Sequence, residues 1–437
     1  MLRHVYVDRA LPHIATMKHT VPAAPTEHSG NLTTRNRAPV RPDRPTDAVP
    51  SPEAGHGAGT GRLLGVDLAR ALAIYGMFAV HVGPSPDSVE GLARTLLTFA
   101  HGRSAALFAL LAGVSLVLMS GREPIGRDAT GRRVRVRVAV RALILLVFGT
   151  ALTLIHSTIW VVVPYYGLFF LLALPALGLA APALVTLAAL SALGGPVVTM
   201  APLVVPPELL DTVAAYDPLN LVSGHGLIEL FLVGGFPAAS WMAYVFAGMA
   251  IARLDLVAEA VRHRLVKAGA ALAALGYGGS WLACNVFTDV QARVEATAAA
   301  VEAAGGHFDV LDHGTPLERL LVALPHSSSP FEITGNIGVA ILVLVAAITL
   351  LEARPGLRGP AGPVLAVGTM SLTVYVVHIL LIRYVDVEAH LGSPTTVLAV
   401  FVVAATLFAV AWKRVFRRGP LEFLLHFPAV RLSGMVR

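Results

Sequence analysis

From Leu63 onward, apolar runs of membrane-spanning length follow one another almost to the C-terminus. Ten candidate spans can be read, over roughly 63–83, 104–120, 138–157, 159–178, 180–203, 227–251, 266–287, 331–352, 362–384 and 395–413. Each runs about 17 to 25 residues, the length a helix needs to cross a ~30 Å hydrocarbon layer. The second is short, and the stretch 159–203 can be divided in more than one way. Inside a bilayer the backbone must satisfy its own polar groups, so the runs predict an all-α, polytopic membrane protein with about ten transmembrane helices. Composition agrees. Of 437 residues, 55% are hydrophobic and 14% charged, against about 25% charged in a soluble domain. Soluble enzymes, disulfide scaffolds and nucleic-acid modules are excluded, and the lipid bilayer is the first expected partner.

The net charge of +6 does not point to nucleic acid, because the basic residues lie between the apolar runs and there they set topology. Arg122, Arg127, Arg132, Arg133, Arg135 and Arg137 follow the second span, and Arg253, Arg262, Arg264 and Lys267 follow the sixth. Arg354 and Arg358 follow the eighth, and Lys413, Arg414, Arg417 and Arg418 follow the last. With ten spans and both termini cytoplasmic, all four clusters fall on the cytoplasmic side. The opposite segment 204–225 has no Lys or Arg but carries Glu208, Asp211 and Asp217. Usage rich in Ala, Val, Leu, Gly and Arg fits a bacterial source, so a multi-pass protein of the bacterial cytoplasmic (inner) membrane is expected. Residues 1–60, rich in Pro, Thr, His, Arg and Gly, read as a disordered tail. Residues 61–416 form the multi-span domain, and 417–437 a cytoplasmic C-terminal tail. No internal repeat is visible, and the single Cys284 reads as a small buried hydrophobe.

On this topology His81, His101, His156, His225, His307, His313, His326, His378 and His390 fall at the outer side. His81, His101, His156 and His378 sit at or near the outer ends of the first, second, third and ninth spans. Ionisable groups at membrane depth are costly and mark pathways or reactive sites, and imidazole exchanges protons near neutral pH. A headgroup-facing histidine is the plain alternative for any one of them. The first span carries the sharpest pattern: Gly65-Val66-Asp67-Leu68-Ala69-Arg70, ten residues, then His81. Eleven residues on a helix are three turns plus about 20°, a rise of roughly 16 Å, so Arg70 and His81 share a face at opposite depths. Asp67, three residues before Arg70, can pair with and orient the guanidinium. A bidentate Arg suits the phosphates of a cytoplasmic acyl-coenzyme A, and His81 is the right residue type to activate a hydroxyl or amine from the other side. An interfacial Asp–Arg pair beside an unrelated His is the competing reading.

These residues resemble a known family. Arg70 and His81 at this spacing, preceded by an Asp, look like the first-helix motif of the transmembrane acyltransferase superfamily, which includes the acyltransferase-3 group. Gly368-Thr369-Met370-Ser371-Leu372-Thr373-Val374-Tyr375-Val376-Val377-His378 resembles that superfamily's Gly-x-x-Ser-x-x-x-Tyr-x-x-His helix. Ser371, Tyr375 and His378, spaced by four and three, form one stripe on the ninth span. A nearer resemblance is to the bacterial branch related to the heparan-α-glucosaminide N-acetyltransferase catalytic domain, whose members often end in a domain-of-unknown-function region. It is carried by Arg62 to His81, Gly102 to Gly113, Leu154-Ile155-His156, Pro164-Tyr165-Tyr166-Gly167-Leu168 and Arg418-Gly419-Pro420-Leu421-Glu422-Phe423.

The resemblance implies a membrane acyltransferase that moves an acyl group, acetyl first of all, from cytoplasmic acyl-CoA to a hydroxyl or amine of an extracytoplasmic glycan or lipid-linked sugar. Arg70 would orient the donor or its carbonyl, His81 would act as general base, and Asp67 would hold Arg70. Tyr375 and His378 would complete the outer wall, with His101, Arg103, His156 and Ser371 in support. Acyl-CoA (acetyl-CoA) is then the co-substrate, and no metal or nucleic acid is expected. A small-molecule or lipid transporter or flippase is the competing class, and an inactive relative acting in envelope assembly is a third. Arg103 reads either as an anion ligand or as an interfacial anchor. Glu229 with Gly234-Gly235-Phe236-Pro237 suggests a kinked sixth span lining a cavity, whereas Trp160, Tyr165 and Tyr166 read as an interfacial belt. The loop 288–330, with a helical piece from Val290 to Ala304 bearing Gln291, Glu295 and Glu302, suggests an external lid.

Overall fold

Without water to accept or donate, each long apolar run closes its backbone hydrogen bonds along its own axis. The computed structural model describes residues 63–155, 159–203, 205–223, 226–286, 289–303, 315–385 and 390–435. The tail expected over 1–60 lies outside them, as do His156, His225, His307, His313 and the side chains of Gln291 and Glu302. No strand occurs among the described residues. The framework is α1 (Leu64–Val82), α2 (Arg103–Ser120), α3 (Ala129–Thr153), α4 (Val163–Ala173), α5 (Ala181–Val198) and α6 (Ala238–Ala252). It continues with α7 (Glu259–Ala273), α8 (Pro330–Ala353), α9 (Gly362–Thr369), α10 (Ser371–Tyr384), α11 (Pro394–Val415) and α12 (Pro420–Gly434). Polar caps start several of them: Asp128 accepts from Gly131 N–H, Ser329 from Glu332 N–H and Ser393 from Thr396 N–H, satisfying donors that the first turn leaves free.

Every stretch expected as a span is helical, but not all as one straight helix. Among the described residues, α1, α2, α3, α5, α8 and α11 are long and apolar enough to cross a membrane, while α4 and α6 are shorter apolar helices. The sixth expected span opens with a single π-helical turn, Glu229–Val233, breaks at Gly234–Pro237 and resumes as α6. The seventh runs from α7 through a second π turn, Ala274–Gly278, into Gly279–Asn285. The ninth is bent by 82° between α9 and α10 at Met370, so the expected continuous helix 362–384 is broken. The break is stabilised from outside. Glu422 of α12 accepts from Leu372 N–H at 2.8 Å, Thr373 N–H at 3.1 Å and the Thr373 hydroxyl at 2.6 Å, serving the free N–H groups of α10's first turn. Where a tail was expected from 417 on, α12 thus packs against α3 and α10.

α1 is the hub and packs against α2, α8, α9, α10 and α11, burying Ala69, Ala73, Ile74, Met77 and Phe78. With hydrocarbon on the outside there is little solvent-driven attraction between helices, so close van der Waals approach must hold them. Small residues permit that approach. A Cβ on Gly113 of α2 would stand 2.0 Å from the Val245 carbonyl oxygen, and one on Gly248 of α6 would stand 1.9 Å from that of Leu110. The arginine-rich loops meet at one end. Arg253 donates to the carbonyls of Gly121 (3.0 Å), Arg122 (2.6 Å) and Leu177 (2.6 Å), and Arg262 bonds Glu352 at the close of α8. The first residues of α1, Leu64 and Gly65, lie beside Glu352 at this same end. His81 lies at the other.

Gly113→Val is therefore expected to destabilise the protein by about 1–3 kcal/mol or more through overpacking. Gly194→Ala, in α5 where an added Cβ meets nothing within 4 Å, should be neutral or stabilising by up to ~1 kcal/mol. Thermal melts of both variants in one detergent check the contrast. Equal midpoints would show that the α2–α6 contact is not tight.

Candidate active site

On α1, Asp67 is buried, and a carboxylate in an apolar bundle needs a partner. Arg70 Nη1 donates to Asp67 Oδ1 at 2.9 Å, and its Nη2 donates to Ser115 Oγ on α2 at 2.6 Å. Ser115 in turn donates to the Leu111 carbonyl at 2.5 Å. The guanidinium is thereby held in one orientation by two helices. Gly368 lets α9 lie against this turn, because a Cβ there would stand 1.8 Å from the Asp67 carbonyl oxygen. The opposite end of α1 carries the second polar pair. His81 Nδ1 and His378 Nε2 are 3.0 Å apart, and their rings stack at 7° with centroids separated by 5.3 Å. Phe78 and Tyr375 pack against His378, each with ring centroids 5.0 Å away.

Each pair opens onto a cavity. Arg70, Ser115, Arg141, Thr369, Ser371 and Glu422 supply polar lining to one of about 270 Å³, whose apolar wall includes Leu111, Met119 and Phe170. Arg141 reaches into it from α3, with Nη2 3.3 Å from His426 Nδ1 and a buried Nε that has no partner among the described residues. His81, Ser104 and His326 line the other, a small space of about 40 Å³. Phe108, Val162, Tyr166 and Tyr375 belong to both, so these side chains form the wall between the Arg70 cavity and the His81 cavity. Tyr375 is fixed in that wall: its hydroxyl accepts from Val162 N–H at 3.1 Å and donates to the Trp160 carbonyl at 3.4 Å. The expected stripe of Ser371, Tyr375 and His378 exists on α10 and runs from one cavity past the wall to the histidine pair.

Other expected residues lie elsewhere. His101 turns its Nδ1 to the Leu97 carbonyl at 2.9 Å and lines neither cavity. Arg103 also lines neither. Its Nε donates to the Tyr277 hydroxyl at 2.9 Å and its Nη1 to the Thr98 carbonyl at 3.0 Å. Tyr165 and Tyr166, expected at the interface, are buried at 6% exposure each, and only Trp160 is open, at 41%. The physical reason is the tight α3–α4 hairpin: Gly149 packs on Pro164 and Gly167 on the Leu146 backbone, drawing the start of α4 into the bundle. The kinked sixth span does border a cavity, a third space of about 670 Å³ lined by Glu229, Gly234, Gly235, Trp160 and Tyr165. In the loop read as a lid, the helix Val290–Ala303 buries Val290 and Val294 against Cys284 and Val322.

Sequence reasoning missed Ser115, Arg141, Glu332 and the role of His326. Glu332, in the first turn of α8, is 3% exposed. It accepts from His326 N–H (2.9 Å), Ser328 N–H (2.7 Å), the Ser327 hydroxyl (3.1 Å) and Asn336 Nδ2 (3.2 Å). These bonds hold His326 and Ser328 at φ +63° and +51°, a left-handed conformation costly for residues other than glycine. The turn presents the His326 ring to the small cavity between Trp241 (6.0 Å, stacked), Trp160 (5.7 Å, edge-on) and Phe236 (5.4 Å, edge-on). Tyr277 donates to Asn336 Oδ1 at 2.5 Å, so Arg103 belongs to the network that ends on Glu332. The available signal was a Glu standing three residues after Ser329 at the head of an apolar run, the pattern of a capped helix start.

A family profile described as an acyltransferase domain matches residues 63–413, from the start of the bundle into the last turn of α11. The chain belongs to the acyltransferase-3 family. It is a membrane-embedded, multi-pass member, and the family suggests a membrane acyltransferase. No curated protein matches the chain. Among the described residues no three His, Cys, Asp or Glu side chains gather as metal ligands would.

Glu332→Ala should leave two backbone donors of the turn, His326 N–H and Ser328 N–H, without their acceptor, at about 1–3 kcal/mol for each buried group unsatisfied. A lowered thermal midpoint and a red shift of tryptophan emission, from Trp160 and Trp241 beside the loosened ring, are expected. A wild-type spectrum and midpoint would refute the anchoring role.

Proposed function

We propose that the protein transfers an acyl group, acetyl first of all, from acyl-CoA held in the Arg70 cavity to a hydroxyl or amine presented at the His81 cavity. The observation that carries this reading is the shared wall: two cavities, one guanidinium-lined and one imidazole-lined, that adjoin across Phe108, Val162, Tyr166 and Tyr375. Positive loops favour the cytoplasm, which assigns the arginine-rich end, and with it the Arg70 cavity, to the side where acyl-CoA is found. The His81 cavity then faces outward, to a glycan or lipid-linked sugar, in the bacterial cytoplasmic membrane. The nearer kinship to the heparan-α-glucosaminide N-acetyltransferase branch rests on the segments that resemble it, of which Tyr166 and Glu422 border the donor cavity.

The donor's phosphates meet Arg141 and the arginine-rich loops, and Arg70 orients the thioester, its guanidinium fixed by Asp67 and Ser115. His81 acts as base. With its Nδ1–H donating to His378 Nε2, its Nε2 carries the lone pair. The acceptor oxygen or nitrogen attacks the thioester carbonyl carbon and yields its proton to that nitrogen. A carbon–oxygen or carbon–nitrogen bond forms as the carbon–sulfur bond breaks, and the proton passes to the departing coenzyme A sulfur. A transporter on the same scaffold would need the wall to open into a path, and Tyr375, bonded to Trp160 and Val162, stands in that wall.

Transfer of radiolabel from acetyl-CoA by purified protein in proteoliposomes, with a panel of amino sugars and hydroxyl-bearing glycans, tests the reading. His81→Ala is expected to lower kcat/KM by about 10²–10⁴, the usual contribution of a positioned acid–base group, and Arg70→Ala by about 10² through lost positioning of the thioester. Arg70→Lys should recover little, since one ammonium cannot bond Asp67 and Ser115 with the geometry of a planar fork. No donor binding and no transfer by well-folded protein would sink the proposal.

A further inference from the structure

Tyr166 stands out in the wall between the cavities. It sits on α4 at 6% exposure, and its hydroxyl is buried without a hydrogen-bond partner among the described residues. Its neighbours are aromatic and apolar. Phe108 meets the ring edge-on at 5.5 Å, Phe169 at 5.5 Å and Phe170 at 6.5 Å. Phenylalanine would fill the same space without leaving a polar atom unsatisfied, and an unpaired buried hydroxyl is a cost to folding. The other tyrosine of the wall is different, because the Tyr375 hydroxyl is occupied by Val162 and Trp160. Tyr165, one residue earlier, faces the third cavity instead. Among the described residues, the wall therefore holds one hydroxyl already bonded and one without a partner that a ligand could engage.

Resting on the acyltransferase reading above, we infer that Tyr166 is a catalytic residue: its O–H donates to the carbonyl oxygen of the acyl group where the two cavities adjoin. The location suits the task. A thioester reaching from the Arg70 cavity toward His81 must bring its carbonyl to the side chains common to both spaces, and Tyr166 is one of them. As the acceptor adds, the carbonyl π electrons move onto oxygen, and that developing charge is what a preorganised donor in an apolar surround stabilises most. The electrons return when the carbon–sulfur bond breaks, and Tyr166 keeps its proton throughout. Arg70 lies on the donor side, held by Asp67 and Ser115, and leaves this role open.

The test is Tyr166→Phe, which removes one oxygen and keeps the ring. Two measurements on purified protein in lipid nanodiscs separate this proposal from the reading on which it rests. The first is acetyl transfer from acetyl-CoA to the acceptor panel. The second is binding of acetonyl-coenzyme A, a ketone with a methylene between sulfur and carbonyl that cannot transfer its acyl group. The variant should lose about 10²–10³ in kcat, as loss of one oxyanion donor does, with donor KM raised no more than the dissociation constant of the ketone. It should bind the ketone about 2- to 10-fold more weakly, the weight of one neutral hydrogen bond. Its thermal midpoint should equal or exceed that of the wild type. Wild-type kcat and ketone affinity in the variant would overturn the Tyr166 assignment and leave the acyltransferase reading intact. Tyr166-dependent ketone binding without transfer by the wild type would support the assignment and remove the transfer reading for those acceptors. Absence of both binding and transfer in the wild type would overturn both, and a fall in midpoint matching the loss of kcat would make Tyr166 structural.

Discussion

The bundle depends on how α1 carries charge through an apolar interior. A helix packed against five others cannot leave a carboxylate or a guanidinium unpaired, and the Asp67–Arg70–Ser115 set satisfies both while pinning α1 to α2. Gly368 then lets α9 seat directly on the Asp67 carbonyl. The position of α9 in turn decides where the chain breaks and where α10 begins. At the far end of α1, the His81–His378 pair closes α1 against α10. One helix thus sets the separation between the two polar centres, and the rise of the helix makes it about 16 Å.

Irregular backbone at membrane depth is tolerated only where it is buried in protein or borders a cavity. Both irregular places in the centre obey that rule. The break at Met370 is served by Glu422 from α12, and the non-helical approach to α4 is held by Tyr375, whose hydroxyl bonds Val162 and Trp160. Each repair comes from a different part of the chain, and together they place Tyr166 and Tyr375 side by side in the wall. A continuous ninth span would have put no helix start, at Ser371, on the border of the Arg70 cavity.

The expectations drawn from local pattern held where the cause is local. Helical stretches followed from apolar runs, the sharing of a face by Arg70 and His81 from helical period, and the stripe of Ser371, Tyr375 and His378 from its spacing. The kink at Gly234–Pro237 was legible because proline and paired glycines interrupt a helix wherever it packs. Tyr165 and Tyr166 were misread as a belt because aromatic residues beside an apolar run look alike whether they face headgroups or a cavity. Arg103 left two readings open, and its bonds to Tyr277 and Thr98 favour the anchor. His101 was grouped with His81 by depth alone, and depth does not say which way a ring turns.

Sequence by itself determined that the chain must be a helical membrane protein, which end of the bundle gathers arginine, and that Arg70 and His81 stand on one line. Those properties depend on hydrophobicity, charge and helical pitch, all of which act over a few turns. Only the tertiary structure decided that Ser115 and Arg141 join Arg70, that His378 stacks on His81, and that a carboxylate 80 residues beyond the end of α6 pins His326 among Trp160, Phe236 and Trp241. It alone placed between the two cavities a tyrosine whose hydroxyl has no partner among the described residues. Contacts of that kind depend on which helices lie side by side, and in a bilayer that choice is made by small residues and polar pairs scattered along the whole chain.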